Sequence, residues 1–409
     1  MFANQKRITQ HIELLSQFTA SPGEGVTRLT FSKEDLDARN YIKEQMKQYG
    51  LTISEDGLGN IFGKLEGTIP DAPSIIIGSH FDSVPNGGAY DGTAGVVVGL
   101  EVAALFQENK CQPTYPLEII ALVEEEGSRF GGGLMGSLGM MGLLTNEDFQ
   151  KLADKDEIIV VDAMRNIGLD PSKLKQRDPK TIKAFLELHI EQGPILEEKN
   201  ITIGVVEAIV GLTQLEVTVQ GQAGHAGTTP MNGRSDALVA AAQIIAAFPQ
   251  LAIDEGHDTV ITTGQLHVYP NGANVIPSKV VFSIDIRSAQ EVHIQNVVQK
   301  VEQLISSQNR GNIQIFTEQL LHISPKELDV TVRSVLKEVS DQLAIPNCSI
   351  NSGAGHDAMV FSDFTAAGMV FIPSKNGLSH CPEEWSDPNH LVDGTNILYQ
   401  TALRLTKGI

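Results

Sequence analysis

The chain has 409 residues, more than one hydrophobic core usually serves, so two domains are expected. Hydrophobic residues make up 41% and charged residues 20%, a balance that excludes a disordered or low-complexity protein. Thirty Lys and Arg against fifty Asp and Glu give a net charge of −20, the wrong sign for holding a phosphate backbone, so nucleic acid is excluded as a partner.

The N-terminal stretch MFANQKRITQHIELLSQF spaces its apolar residues as on an amphipathic helix and lacks the continuous apolar core of an export signal. No segment is expected to reach the roughly 20 apolar residues of a membrane crossing. Cys111, Cys348 and Cys381 are odd in number and far apart, which predicts reduced thiols and a cytoplasmic location.

Several apolar, β-branched runs then end abruptly in polar clusters. Residues 74–77 lead into Gly78, Ser79 and His80, and residues 117–123 lead into Glu124, Glu125 and Glu126. Residues 184–188 lead into His189 and Gln192, and residues 369–372 into PSKNGLSH, which ends at His380. Short continuous apolar runs fit buried parallel strands, with helical stretches such as residues 95–107 between them. The fold class is therefore α/β, a large domain with a mostly parallel sheet whose polar clusters lie at the carboxyl ends of the strands, where such sheets bind ligands.

Residues 212–326 show another pattern. Strands are predicted at 213–219, 259–268, 280–287 and 312–317, an Ala-rich helix at 235–248 with Ser235 as its N-cap, and a second helix at 289–306. The order β-α-β-β-α-β is that of a ferredoxin-like α+β domain. Its insertion would split the larger domain into residues 1–211 and 327–409.

The ligand-type residues at the strand ends are His80, Asp82, Asp91, Glu125, Glu126, His189 and His380. Singly each has an ordinary explanation as a hydrogen-bonded or solvated group; together, at the ends of four strands, they predict a metal-binding domain. Two divalent ions close together need a carboxylate to bridge them, and Asp91 is the candidate. Imidazole and carboxylate donors with no cysteine suit zinc or manganese. Asp82, two residues after His80, is placed to accept the other ring N–H of that histidine. Of Glu125 and Glu126, one can face a metal while the other stays unligated to take a proton from water. Other motifs fail: GGGLMGSLG lacks the G-K-[ST] of a phosphate loop, and Met135 stands where a nucleophile elbow around Ser137 needs glycine. Met135, Met140 and Met141 are expected to fill a core.

In order along the chain, GSHFDSVPNGGAYDG, VEEEGSRF, ELHIEQG, GHAGTTPM, NVIP, IDIR, SGAGHDA and NGLSH resemble the dinuclear metal amidases related to aminoacylase, of the hydantoinase/carbamoylase type. The branch is the one containing allantoate amidohydrolase, N-carbamoyl-L-amino acid hydrolase and β-ureidopropionase. The resemblance runs from about Gly25 to the C-terminus. It implies two metal ions, zinc or manganese, with His80 and His189 on one, Glu126 and His380 on the other, and Asp91 bridging. It makes Glu125 the general base, with Asp82 and His225 in catalytic roles. It also implies substrate contacts by Gln192, His225, Asn274, Arg287, Gly355 and His356. Arg287 can clamp a carboxylate, Gln192 and Asn274 can read amide or ureido groups, and His225 can polarise a carbonyl. The bland alternative for Arg287 is an ion pair with Asp285 on the sheet surface; for His356 it is a structural hydrogen bond.

The expected activity is hydrolysis of linear amide or ureido C–N bonds in small anionic acids. Allantoate is placed first as substrate, on SGAGHDA and FIPSKNGLSH, with N-carbamoyl-L-amino acids or N-carbamoyl-β-alanine as the alternative. An aminoacylase-like exopeptidase shares the same metal core, and a non-catalytic metal scaffold is the remaining class. The inserted domain is expected to act as a lid and to pair two subunits into a homodimer, bringing His225 to the metals by closure or from a neighbour.

Overall fold

The computed structural model describes residues 2–309 and 311–406. The outer limits predicted for the larger domain, residues 1 and 409, therefore lie outside the described residues. The chain forms a mixed α/β fold of two compact units, one of Met1–Glu207, Leu328–Ile350 and His356–Ile409, the other of Ala208–Glu327 with Asn351–Gly355. Residues 351–355, predicted in the metal domain, thus pack with the second unit, where Ser352 accepts the Val210 N–H and Gly353 an Arg287 N–H through their carbonyls.

In the first unit a sheet runs in the order Thr52–Glu55, Ile61–Leu65, Leu117–Leu122, Ser74–His80, Ile182–Ile190, Ala366–Ile372, Ile203–Ile209. Parallel pairing joins the four strands from Leu117–Leu122 to Ala366–Ile372. The strands on either side join antiparallel, which corrects the expectation of a mostly parallel sheet. The physical division is one of burial. Ser74–His80 and Leu117–Leu122 are buried at every position, as strands covered on both faces must be, whereas the edge strand Thr52–Glu55 is largely exposed.

The helix Thr93–Glu108 is buried at all but its last two residues. Its sequence, TAGVVVGLEVAALFQE, has no polar face because it packs on the sheet on one side and on the helices Gln5–Ser16 and Pro388–Leu405 on the other. Its one fully buried charge, Glu101, accepts from Arg7 at 2.5 and 2.8 Å and from the Asn4 N–H at 2.7 Å. This ties the first helix to the helix that begins just after Asp91.

The second unit is a sheet in the order Leu266–Tyr269, Lys279–Ser288, Gly211–Gln220, Gln314–Ile323, all antiparallel, with Val260–Thr262 also on Lys279–Ser288. That is the strand order of the ferredoxin-like pattern, and Val280, Phe282, Ile284 and Ile286 line its core. Two local expectations are corrected. The strand 259–268 is interrupted at 263–265, and the helix 235–248 is two helices, Ala237–Ile245 and Phe248–Glu255, the second begun with Pro249 in its first turn. The cap is Asp236 rather than Ser235, its carboxylate accepting the N–H groups of Leu238 and Val239. Residues 237–255 also reach the length and hydropathy of a membrane crossing, contrary to expectation, but their face of Ala237, Ala240, Ala241, Ile244 and Phe248 lies in the core of this unit.

Arg7→Ala leaves the buried Glu101 carboxylate without its cation and is expected to destabilise the first unit by about 3 kcal/mol. Adding Glu101→Leu should recover most of that loss. Urea denaturation measures both; equal stability of wild type and Arg7→Ala would show that the pair does not hold the two helices together.

Candidate metal centre

Parallel alignment of four strands brings their carboxyl ends to one edge, and the sequence has placed its imidazoles and carboxylates there. His80 is the last residue of its strand and His189 the last but one of Ile182–Ile190. Leu117–Leu122 runs out into Glu124, whose φ of 51° turns the chain sharply and presents Glu125 and Glu126. Glu124 itself faces the other way: its carboxylate accepts the N–H groups of Arg129 and Phe130 and so shapes the loop. Ala366–Ile372 leads to His380, which also has a positive φ, 57°. Gly92 has φ 58°, and a Cβ there would run into the His80 imidazole, so only glycine lets Asp91 and His80 approach.

Asp91, 6% exposed, is shared between two groups of donors. Its Oδ1 lies 3.1 Å from His189 Nε2 and 3.5 Å from His80 Nε2, while Oδ2 lies 3.1 Å from His380 Nε2. His380 Nε2 is in turn 3.4 Å from Glu126 Oε1. Among the described residues three groups could each hold an ion: the triads His80–Asp91–His189 and Asp91–Glu126–His380, which share Asp91, and a third group, His80–Glu125–Glu126. Glu125 is outside the two that share Asp91 and stands beside them, Oε2 3.7 Å from His80 Nε2. The adjacent glutamates thus differ in that Glu126 joins a triad built on Asp91 and Glu125 does not.

Asp82 does more than the sequence predicts. Its carboxylate is 3.5 Å from His80 Nδ1, but the shorter contact of that nitrogen, 3.2 Å, is to the Asp82 backbone carbonyl. The two carboxylate oxygens accept the backbone N–H groups of Glu125 and Glu126 at 3.1 and 3.2 Å. Asp82 therefore orients both glutamates as well as facing the histidine.

The charges are far from balanced. Burial pushes Glu125 well above the usual carboxylate range and Glu126 up to about 7. Burial works the same way on Asp91, but hydrogen bonds from His189, His380 and His80 outweigh it and hold its carboxyl well below the usual range. The hydrogen bond to Asp91 lifts His380 to about 9. Glu126 Oε1 is buried without a hydrogen-bond partner among the described residues. Hard oxygen and imidazole donors in two triads around one shared carboxylate, with an orphaned oxygen in the second, fit a pair of divalent cations such as zinc or manganese.

The remaining predicted residues divide. Gln192 joins the cluster, but its amide donates to Asp91 Oδ2 at 2.8 Å. His356 is buried against the rings of His189 and Phe371, behind the donors. In the second unit, His225 and Asn274 come together because the short strands Gly224–His225 and Val275–Ile276 pair, His225 opposite Val275. His225 Nδ1 accepts the Gly227 N–H, which leaves Nε2 as the protonated nitrogen of the neutral ring. Arg287 holds Asp285 at 2.8 Å, as in its bland alternative, and donates to the Gly353 carbonyl. A Cβ at Gly355 would meet no atom within 4 Å.

Two residues at the cluster escaped the sequence. Arg28, 1% exposed, donates to the Phe81 carbonyl and the Thr93 hydroxyl, pinning both ends of the segment that carries His80 and Asp91. Glu384 accepts the Asp91 N–H at 3.0 Å. Neither has a spacing signal; only proximity of Glu384 to His380 in SHCPEE pointed toward it.

Residues 76–404 match the model of peptidase family M20/M25/M40. The chain is 42% identical to an N-carbamoyl-L-amino-acid amidohydrolase of Paenarthrobacter aurescens, over 100% of this chain and 98% of that one. An allantoate amidohydrolase of Bacillus subtilis (strain 168) is 37% identical, with 97% of each chain covered. The crystal structure of an amidase of the hydantoinase/carbamoylase family from Burkholderia multivorans has a TM-score of 0.94 at 32% identity, over 99% of this chain and 98% of that one.

Manganese or zinc at about 100 times its dissociation constant should stabilise the chain by about 2.7 kcal/mol per site, and chelation should reverse this. Asp91→Ala should abolish the thermal shift, since both triads need that carboxylate, whereas His189→Ala should leave part of it. A melting temperature indifferent to metal and chelator would dismiss the centre.

Proposed function

The chain belongs to peptidase family M20/M25/M40, and from that premise we propose that it hydrolyses the ureido group of N-carbamoyl-L-amino acids, with allantoate as the second reading. It is a hydrolase of C–N bonds other than peptide bonds. The observation that carries the proposal is Glu125, a largely buried carboxylate beside the two triads that share Asp91 and outside both, grouped only with His80 and Glu126. A purely structural metal site has no use for such a group.

Two divalent cations, zinc or manganese, held by His80, His189, Asp91, Glu126 and His380 would polarise the ureido carbonyl and acidify water. Glu125 takes a proton as the water oxygen bonds to the ureido carbon, then returns it to the nitrogen whose bond to that carbon breaks. The carbamate so released decomposes to ammonia and CO2. Asp82 fixes Glu125 through its backbone N–H. His225, with its proton on Nε2, donates to the carbonyl oxygen as charge develops there. Asn274 and Gln192 bind the polar groups of the substrate, the latter by turning from Asp91, and Gly355 and His356 border them. Arg287 binds the substrate carboxylate. The lid and homodimer roles of residues 212–326 rest on resemblance alone. Three cysteines without a disulfide support a cytoplasmic location.

The motifs SGAGHDA and FIPSKNGLSH favour allantoate, but the relatives shift the order: 42% identity to the N-carbamoyl-L-amino-acid amidohydrolase stands against 37% to the allantoate enzyme. Side-by-side turnover of N-carbamoyl-L-amino acids, N-carbamoyl-β-alanine and allantoate, monitored by ammonia and amine release, decides between them. Glu125→Gln should keep fold and metal while lowering kcat at least 1000-fold; wild-type turnover by that variant would remove Glu125 as the base.

For Arg287, substitution by Lys should lower kcat/KM by about 1 to 3 kcal/mol of transition-state free energy while leaving stability near wild type. The loss should largely vanish with a substrate whose carboxylate is replaced by a neutral amide. Equal loss on both substrates would return Arg287 to its pairing with Asp285.

A further inference from the structure

Glu384 is 5% exposed and lies outside both triads, yet every bond it makes is to a residue that carries or neighbours a donor. Its Oε1 accepts the backbone N–H groups of Tyr90 at 2.9 Å and Asp91 at 3.0 Å. Its Oε2 accepts the Ser379 hydroxyl at 2.8 Å and the His380 N–H at 3.3 Å. One carboxylate thus spans two segments almost 300 residues apart in sequence and grips each beside a donor of the second triad. The Ser379 hydroxyl lies between two carboxylates, 2.8 Å from Glu384 and 3.0 Å from Asp91 Oδ2, with one proton to give. A cation on Asp91 Oδ2 would commit that proton to Glu384.

Two independent features show that the chain is built around this contact. His380 stands at φ 57°, a conformation that is costly for a non-glycine residue and persists where surrounding bonds enforce it. Glu384 supplies such a bond at the His380 N–H. Gly88 has room for no side chain, because a Cβ there would run into the Glu384 carboxylate.

We infer that Glu384 is a positioning residue for the second ion: it holds Asp91 Oδ2 and His380 at the separation the Asp91–Glu126–His380 triad requires, without touching metal or substrate itself. The inference rests on the dinuclear reading above and adds an unpredicted member to its support. Because His80 and His189 are held by their strands, the first triad depends on Glu384 only through the Asp91 backbone. The two sites should therefore respond unequally.

The test is a calorimetric titration of the whole chain with Mn2+ and, separately, Zn2+, with bound metal counted by elemental analysis and the melting temperature taken in chelator. Wild type should hold two ions. Glu384→Ala should hold one near wild-type affinity and bind the second at least 10-fold to 100-fold more weakly, the range for a group that orients a metal ligand. Gly88→Ala, which displaces the carboxylate without removing it, should do the same. Glu384→Gln keeps an oxygen for Tyr90 and Asp91 but turns an NH2 toward His380 N–H, so its second-site affinity should fall in between. Two ions bound with wild-type affinity by both Glu384→Ala and Gly88→Ala would overturn the role. So would loss of both ions in step with the melting temperature, the mark of general destabilisation. If Glu384→Ala does not fold, Gly88→Ala and Glu384→Gln decide by the same criteria. A wild-type chain that holds fewer than two ions would overturn the dinuclear reading and this role with it, a result recognisable because it precedes any substitution.

Discussion

Asp91 has to serve two sides at once, Oδ1 toward His80 and His189 and Oδ2 toward His380, from a position that is almost wholly buried. A carboxylate can do so only if its backbone cannot shift, since moving either oxygen toward one side moves the other away. The surroundings meet that condition from several directions. Thr93–Glu108 begins two residues later and is buried along nearly its whole length. Gly92 admits the His80 ring, Arg28 grips the flanks at Phe81 and Thr93, and Glu384 takes the Asp91 N–H. The fold beneath acts as a mount for one residue.

The same constraint explains why the centre needs a protein of this size. Each donor carries a cost of burial, visible in the upward shifts of Glu125 and Glu126. Parallel strands spread that cost, because each delivers one or two donors to the shared edge while most of its remaining residues are buried and apolar. Backbone N–H groups do much of the compensation: those of Glu125 and Glu126 bond Asp82, and those of Arg129 and Phe130 bond Glu124. Acidic side chains thus solvate one another's backbone, and the EEE triplet becomes a loop with three separate directions rather than a solvated face.

The four central strands, the helix after Asp91 and the seven ligand-type residues were legible in the sequence, because continuous apolar runs ending in His or Glu leave few other readings. The antiparallel flanks were not, since a short edge strand such as Thr52–Glu55 has no buried pattern to display. The broken helix at 246–247 was missed because alanines mask a boundary that depends on Pro249 and on packing against the sheet. Arg28 and Glu384 were missed for a different reason: most of their partners are backbone groups, several of them distant in sequence, and a bond to a carbonyl or an N–H imposes no residue type on its partner. Gln192 was noticed for its amide, but its place on Asp91 Oδ2 could not be, because the positive φ that turns it there has no sequence signature outside glycine and asparagine.

The donors enter the chain at residues 80, 91, 126, 189 and 380, and the last strand of the parallel set, Ala366–Ile372, comes after the inserted unit has been completed. During synthesis the acidic half of the centre therefore exists for some 250 residues of growth before His380 can close it. Contacts of such long sequence separation form late and slowly. The compact second unit is synthesised in that interval, while the first unit still lacks a strand. The order of the chain thus makes the Asp91–Glu126–His380 triad one of the last features that can form.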